Sequence, residues 1–294
     1  MATYKTYDTI GIREDLQDAI YDISPTTTPF MSTVGRTKAK NTYHEWQTDS
    51  LADVNLNNAQ IEGADATSAV LTPTTRVGNY TQISDKVVQV STTDDVVDKA
   101  GRSTETAYQL SKASAEIKRD MESILLSDQA QSAGKATEAR KLGGLASWIT
   151  TNTVDTAGGA LTETMLKEAV LKAYNSGGEP DVLLVSPANK QVVSTFAGIA
   201  EQRYQAPKSS PTTIIGSADV YLSDFGSVNV VPDRFLSDEY SFVLDPSMAS
   251  VAYLRPFKSQ KLAKMGDSEK HLLNVEYTLV VNNESAHAMM SDES

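Results

Sequence analysis

Three histidines, two adjacent pairs of acids and one lysine are the residues through which this chain could do chemistry, and their spacing decides against each. His44, His271 and His287 stand far apart, and none has neighbouring ligands at the spacing a zinc site uses. Each reads as a strand or tail residue. Asp94 with Asp95, and Asp238 with Glu239, are neighbours in sequence, so on a helix they point apart and offer no paired acid and base. Cap and loop roles suit them better. Lys86 could join an asparagine across subunits, but nothing local marks its amine as activated. No phosphate-binding glycine loop, dinucleotide fingerprint, nucleophile elbow or calcium loop occurs. The reading therefore assigns no catalytic, cofactor-binding or metal-binding residue, and expects a protein that is not an enzyme and holds no cofactor.

With 294 residues the chain can bury a real core, as one large domain or two smaller ones. A formal net charge of -12 argues against surfaces built to neutralise phosphates or to sit on anionic lipid. Lys135, Arg140 and Lys141 could touch phosphates, but in an acidic protein such a trio reads as a solvated or intersubunit face. The absence of cysteine removes disulfides, thiolate metal sites and cysteine nucleophiles. Met1 to Ile10 is polar where a signal peptide would be apolar, and no apolar run approaches the ~20 residues that span a bilayer. Synthesis and retention in a cytoplasm are expected. Asn79-Tyr80-Thr81 and Asn283-Glu284-Ser285 match the glycosylation pattern, which carries no weight without a secretion signal.

What remains is architecture. Ser103 to Asp128 is the longest stretch with helical periodicity and neither proline nor glycine inside it. Ala107, Leu110, Ser114, Ile117, Met121 and Ile124 recur at three- and four-residue steps, with Leu125 widening the far end, and predict one buried seam. Ser103 or Thr104 supplies the cap, and Glu105 suits the positive end of the helix dipole. Lys112, Glu116, Lys118, Arg119 and Glu122 are expected on the wet side. Such a helix runs roughly 40 Å, longer than one small domain needs, and reads as a beam.

The other elements follow from pattern and punctuation. Ile12, Leu16, Ala19, Ile20 and Ile23 predict a helix over residues 8 to 23, stopped by Pro25 and Pro29. Its apolar face needs a surface to lie on, such as another subunit. Thr42 to Thr48 and Arg76 to Val90 read as two strands of a long hairpin. Because an isolated ribbon with so few apolar residues is marginal in water, it should lie along a partner; a long disordered loop is the alternative. Thr92 to Lys99 can add a short helix. From Leu161 a helix runs to Gly177-Gly178, followed by a buried strand Val182 to Val185 and a helix capped by Ser186-Pro187. A long loop over Gly198 to Gly216, two strands turned at Asp224-Phe225-Gly226 and a third at Tyr240 to Leu244 come next. Val251 to Leu262 and a period-two strand through Leu273, Val275, Tyr277, Leu279 and Val281 close the chain, with Asn274, Glu276 and Thr278 on the other face. The chain thus leaves one elongated module near 150, builds a compact domain, and returns near 250.

Four blocks carry a resemblance: DTIGIREDLQDAIYDISPTTTPFMSTVGR, TYHEWQTDSLAD, GKATEARKLGGLASWI and AYLRPFKSQKLAKMGDSEKHLLNVEYTLVVNNESAHAM. In this order they resemble the major capsid proteins of tailed bacteriophages, whose shell fold is named after phage HK-ninety-seven and shared with encapsulins and herpesvirus shells. The resemblance covers nearly the whole chain and implies an α+β fold. It implies an N-terminal arm over residues 1–40 and an extended loop over 41–91. A peripheral domain with its spine helix would take 92–150 and 250–294, and an axial domain 151–249. The implied function is a structural one: hexamers and pentamers of an icosahedral virion shell enclosing double-stranded DNA without sequence-specific binding, made in a bacterial cytoplasm and not attached to membrane. No long helical segment precedes the arm, so a separate scaffolding protein is expected, with a portal and a decoration protein as further partners; covalent cross-linking finds no support. An encapsulin-like compartment, or in another class an enzyme or carbohydrate-binding module, are the alternatives.

Overall fold

The computed structural model describes residues 26–52, 54–63, 65, 71–97, 104–196, 220–264 and 266–291. The helix expected over 8 to 23 and the loop expected over 198 to 216 lie outside them.

Pro29 presets the first helical turn of α1 (Pro29–Thr33), a single turn that delivers Phe30 and Met31 to the core. β1 (Gly35–Lys38) then runs parallel to β10 (Ala249–Lys261), which pairs antiparallel with β11 (Ser268–Val281). β10 slips in register on both sides of Arg255, beside Pro256, which has no N–H to give the ladder. β2 (Tyr43–Thr48) and β3 (Thr75–Tyr80) form a separate two-stranded ribbon. β4 (Gln82–Ser91) pairs with β11 and completes the four-stranded sheet, in the order β1-β10-β11-β4. One continuous strand from Arg76 to Val90 was the expectation, and the chain divides it at Thr81. There the buried Thr81 N–H donates to the Thr42 carbonyl (2.8 Å) and its hydroxyl donates to Glu276 (2.8 Å), so the two halves serve different sheets.

α2 (Thr92–Val96) leads towards α3 (Glu105–Leu126), which packs over β4 and β11 and spans about 33 Å at 1.5 Å per residue. Thr104 is its cap, with the side chain accepting the Ala107 N–H. The buried seam is Ala113, Ile117, Met121, Leu125 and Leu126, whereas Ala107 is exposed and Leu110, Ser114 and Ile124 are only partly covered. The seam is shorter than the periodicity suggests because the first half of the helix flanks an open groove of about 470 Å³ beside β4. Glu122, expected in water, is fully buried, because the arm folds over it.

α4 (Leu145–Trp148) closes the connection beyond α3. The second sheet has the order β5-β12-β9-β6-β8-β7, built from β5 (Thr153–Asp155), β6 (Val182–Val185), β7 (Val220–Ser223), β8 (Gly226–Pro232), β9 (Tyr240–Leu244) and β12 (Ala288–Ser291). α5 (Glu163–Asn175) and α6 (Pro187–Val193) cover one face. In β6, Leu183 and Val185 meet those helices while Val182 and Leu184 join the core around α3, which is why the strand reads as an unbroken apolar run. β5 and β12 are too short for alternation to betray them, and β12 returns the end of the chain to this second sheet.

Candidate assembly surfaces

The residues singled out for chemistry are dispersed. His44 sits half-buried on β2 with its ring 6.2 Å from that of Trp46, and burial lowers its pKa. His271 lies on β11 beside Glu269 (4.0 Å). His287 is fully buried, its Nδ1 accepting the Asp245 N–H (3.2 Å), and burial lowers its pKa as well. Among the described residues no three His, Asp or Glu side chains gather as a metal cluster. Asp95 accepts the Thr106 N–H (3.0 Å) and so ties α2 to the start of α3, while Asp94 lies in the first turn of α2. The Asp238 carbonyl accepts from Asn189 (3.0 Å). Lys86 is held within its own subunit, 2.7 Å from Glu116 and 3.7 Å from Asp120 on α3.

Two buried polar junctions fix where the β2–β3 ribbon leaves the body. Asn79 is fully buried; its amide donates to the carbonyls of Gly143 (3.0 Å) and Leu279 (2.9 Å), and its oxygen accepts the Gly143 N–H (2.8 Å). The first glycosylation-like triplet is therefore a structural pin. In the second, Asn283 caps a short turn by accepting the Ser285 N–H (3.1 Å). Glu276 and Thr278, expected on a wet face of β11, are both buried, because the base of the ribbon and the 132–144 segment cover that face. Glu276 takes the Thr81 hydroxyl, the Arg140 guanidinium and Arg255 Nε (2.7 Å). Burial pushes its pKa up, but these donors outweigh it and the net shift is downward. Arg140 also donates to the Thr81 carbonyl (2.6 Å), so it serves this junction and not an outer basic face; Lys135 stays exposed beside Glu138. Trp46 stacks obliquely on Trp148, ring centres 5.5 Å apart, and braces the ribbon against α4.

Beyond this rigid base the loop carries its apolar side chains into solvent. Leu51, Leu56 and Leu71 are 98%, 92% and 89% exposed, with Val54 and Ile61 close behind. Isolated surface leucines are ordinary, but five large apolar side chains on one loop are the composition of a contact surface and not of a solvated one. A second exposed contact joins Tyr174 of α5 to Phe225 at the β7–β8 turn, where the two rings stack at 4.7 Å, with Leu171 also exposed on α5. The sparse apolar content of the hairpin points to the loop; nothing in the sequence points to the Tyr174–Phe225 contact, because it joins residues about fifty positions apart.

A rigid body with a projecting apolar loop is the geometry of a shell subunit, and comparison with known proteins agrees. The family model described as SU10 major capsid protein matches residues 2–294. The major capsid protein of Escherichia phage Phieco32 is 29% identical over 340 residues, an alignment that covers 98% of this chain and 96% of that one. A solved chain of Mycobacterium phage Adephagia matches with a TM-score of 0.65 at 13% identity, over 96% of this chain and 95% of its own. The SrpI encapsulin of Synechococcus elongatus matches with 0.62 at 15%, over 99% and 96%. Likeness at such low identity shows the fold, which is the mixed helix-and-strand capsid shell fold. Matched by the family model almost from end to end, the chain belongs to the SU10 major capsid protein family and is a structural shell protein.

Proposed function

We propose that copies of this chain tile a closed icosahedral shell of hexamers and pentamers around double-stranded DNA. Each extended loop, residues 41–91, lies on a neighbouring copy, and each N-terminal arm, residues 1–40, straps across another. The observation that carries this reading is the loop itself: its apolar side chains are almost fully exposed while its base is pinned by buried hydrogen bonds, and among the described residues of its own subunit nothing covers it. Residues 92–150 and 250–294 act as the peripheral domain with α3 as its spine, and residues 151–249 as the axial domain. β12 ties the chain end back to the axial sheet. The exposed contact of Tyr174 with Phe225 then faces axial domains of adjacent copies. Loops and arms that reach across neighbours supply the large, repeating contacts a closed assembly requires. The acidic net charge suits a container that encloses DNA without gripping it. A scaffolding protein to guide assembly and a portal for DNA entry complete the set of partners, with a decoration protein as an addition on the outer surface. The finished shell is the virion capsid, built from subunits made in the host cytoplasm.

Electron microscopy of the chain expressed with its candidate scaffold, followed by nuclease protection of particles from infected cells, tests this. Closed shells with protected double-stranded DNA are the expected result. A stable monomer under all assembly conditions overturns the reading, and shells filled with a protein cargo move it to the encapsulin-like alternative.

A further inference from the structure

Two acids lie buried beneath the arm. Glu122 on α3 and Asp233, just after β8, are both fully shielded from solvent. Glu122 accepts the backbone N–H groups of Phe30 (2.6 Å, Oε1) and Met31 (3.0 Å, Oε2), and these bonds bridge more than ninety positions in sequence. Asp233 uses Oδ1 to accept the Phe235 N–H (2.8 Å), while its Oδ2 is buried and finds no donor among the described residues. The Glu122 carboxyl faces Asp233. Two buried carboxylates repel and cannot hydrogen-bond each other, but a single proton on Glu122 supplies the donor that Asp233 lacks.

The other groups packed around the pair do not neutralise it. Arg119, one turn earlier on α3, holds its guanidinium over the Phe235 ring at 5.4 Å. Tyr253, from β10, is raised by burial, with Arg36 of β1 lowering it and Glu122 raising it further. Arg234, next to Asp233 in the chain, pairs with neither acid, and among the described residues neither acid has an ion-pair partner. Burial and then Asp233 push the Glu122 carboxyl up to about 8, and the two backbone N–H bonds, which favour the charged form, do not reverse that.

We propose that Glu122 and Asp233 form a proton-operated clamp on the N-terminal arm, in which one shared proton holds the α1 turn onto α3 and loss of that proton in more basic medium frees it. In the released state Glu122 meets water and titrates as an ordinary carboxyl. The bound state therefore takes up a proton that the released state gives away, so docking is strongest below the free carboxyl range and weakens as pH rises through the clamp's own titration.

The experiment is hydrogen exchange by mass spectrometry on the full chain from pH 5 to 9, corrected for intrinsic exchange, comparing the Phe30–Met31 segment with the Leu184 segment in β6. Protection at Phe30–Met31 should fall by up to roughly tenfold per pH unit between about pH 5 and 8 and level off above, while β6 stays constant. Glu122→Gln cannot ionise and should abolish that slope. If it fails to fold, Asp233→Asn decides: without the facing charge, the plateau should begin at lower pH. A flat wild-type profile, a Glu122→Gln slope equal to that of the wild type, or an Asp233→Asn plateau that does not move overturns the clamp.

Discussion

Replacing Asn79 with alanine tests whether the extended loop is aimed by one buried side chain. The amide of Asn79 joins three parts of the chain: β3, the connection at Gly143 and β11 at Leu279. Alanine leaves the Gly143 N–H and carbonyl without that partner inside the body, at about 1–3 kcal/mol each, and removes a third bond to Leu279 worth about 1 kcal/mol. The sum is about 3–7 kcal/mol. With an unfolding entropy of about 2.1 cal/mol/K per residue, a 294-residue chain loses about 1.6 °C of Tm per kcal/mol, so the variant should melt about 5–11 °C lower. Scanning calorimetry of wild type and Asn79→Ala at one pH measures this, and particle counts by electron microscopy report on assembly. Because the pin sets the direction of the ribbon, shell yield should fall even at temperatures where the variant stays folded. A Tm within a degree of wild type, with normal shells, would refute the reasoning.

Further expectations concern the beam, the loop and the ion cluster. Ile117→Asp places a charge without a partner on the fully covered face of α3, so the chain should be insoluble or unfolded; unchanged melting by circular dichroism would contradict the seam. Deleting Val54 to Gly63 removes residues that touch little of their own subunit, so melting should hold while shells fail to close, and normal shells under the electron microscope would count against the loop's role. Glu276 has a depressed pKa in the folded state, so its contribution is present above the ordinary carboxyl range and is lost as pH falls through it and below. Wild-type melting should therefore drop on acidification below about pH 4.5 more steeply than that of Glu276→Gln, which starts lower at neutral pH. Parallel melting curves across pH 3 to 7 would show that the Arg140–Glu276–Arg255 cluster does not act this way.

Most of the individual elements were legible from periodicity and turn chemistry. Helix α3 declares itself through its apolar steps and the absence of breakers, β6 through a short apolar run, and the β7–β8 turn through Asp224-Phe225-Gly226. These are short-range signals, set by residues within a turn or two of each other. The exposure of the loop was legible too, since a hairpin with so few apolar residues cannot cover itself.

Which polar residues go inside was not legible, because that depends on what arrives from far along the chain. Glu122 looks like part of a wet helix face until the arm, some ninety residues earlier, lays its amides on it. Glu276 and Thr278 look like the outer face of a strand until Thr81 and Arg140 cover them. Thr81 splits a run of strand-forming residues because its partners lie near Thr42 and on β11. Local sequence thus determined the helices, the strands and the exposed loop. Only the tertiary fold decided which charges are buried, since the free energy of burying a polar group is set by the donors and acceptors brought to it and not by its neighbours in the chain.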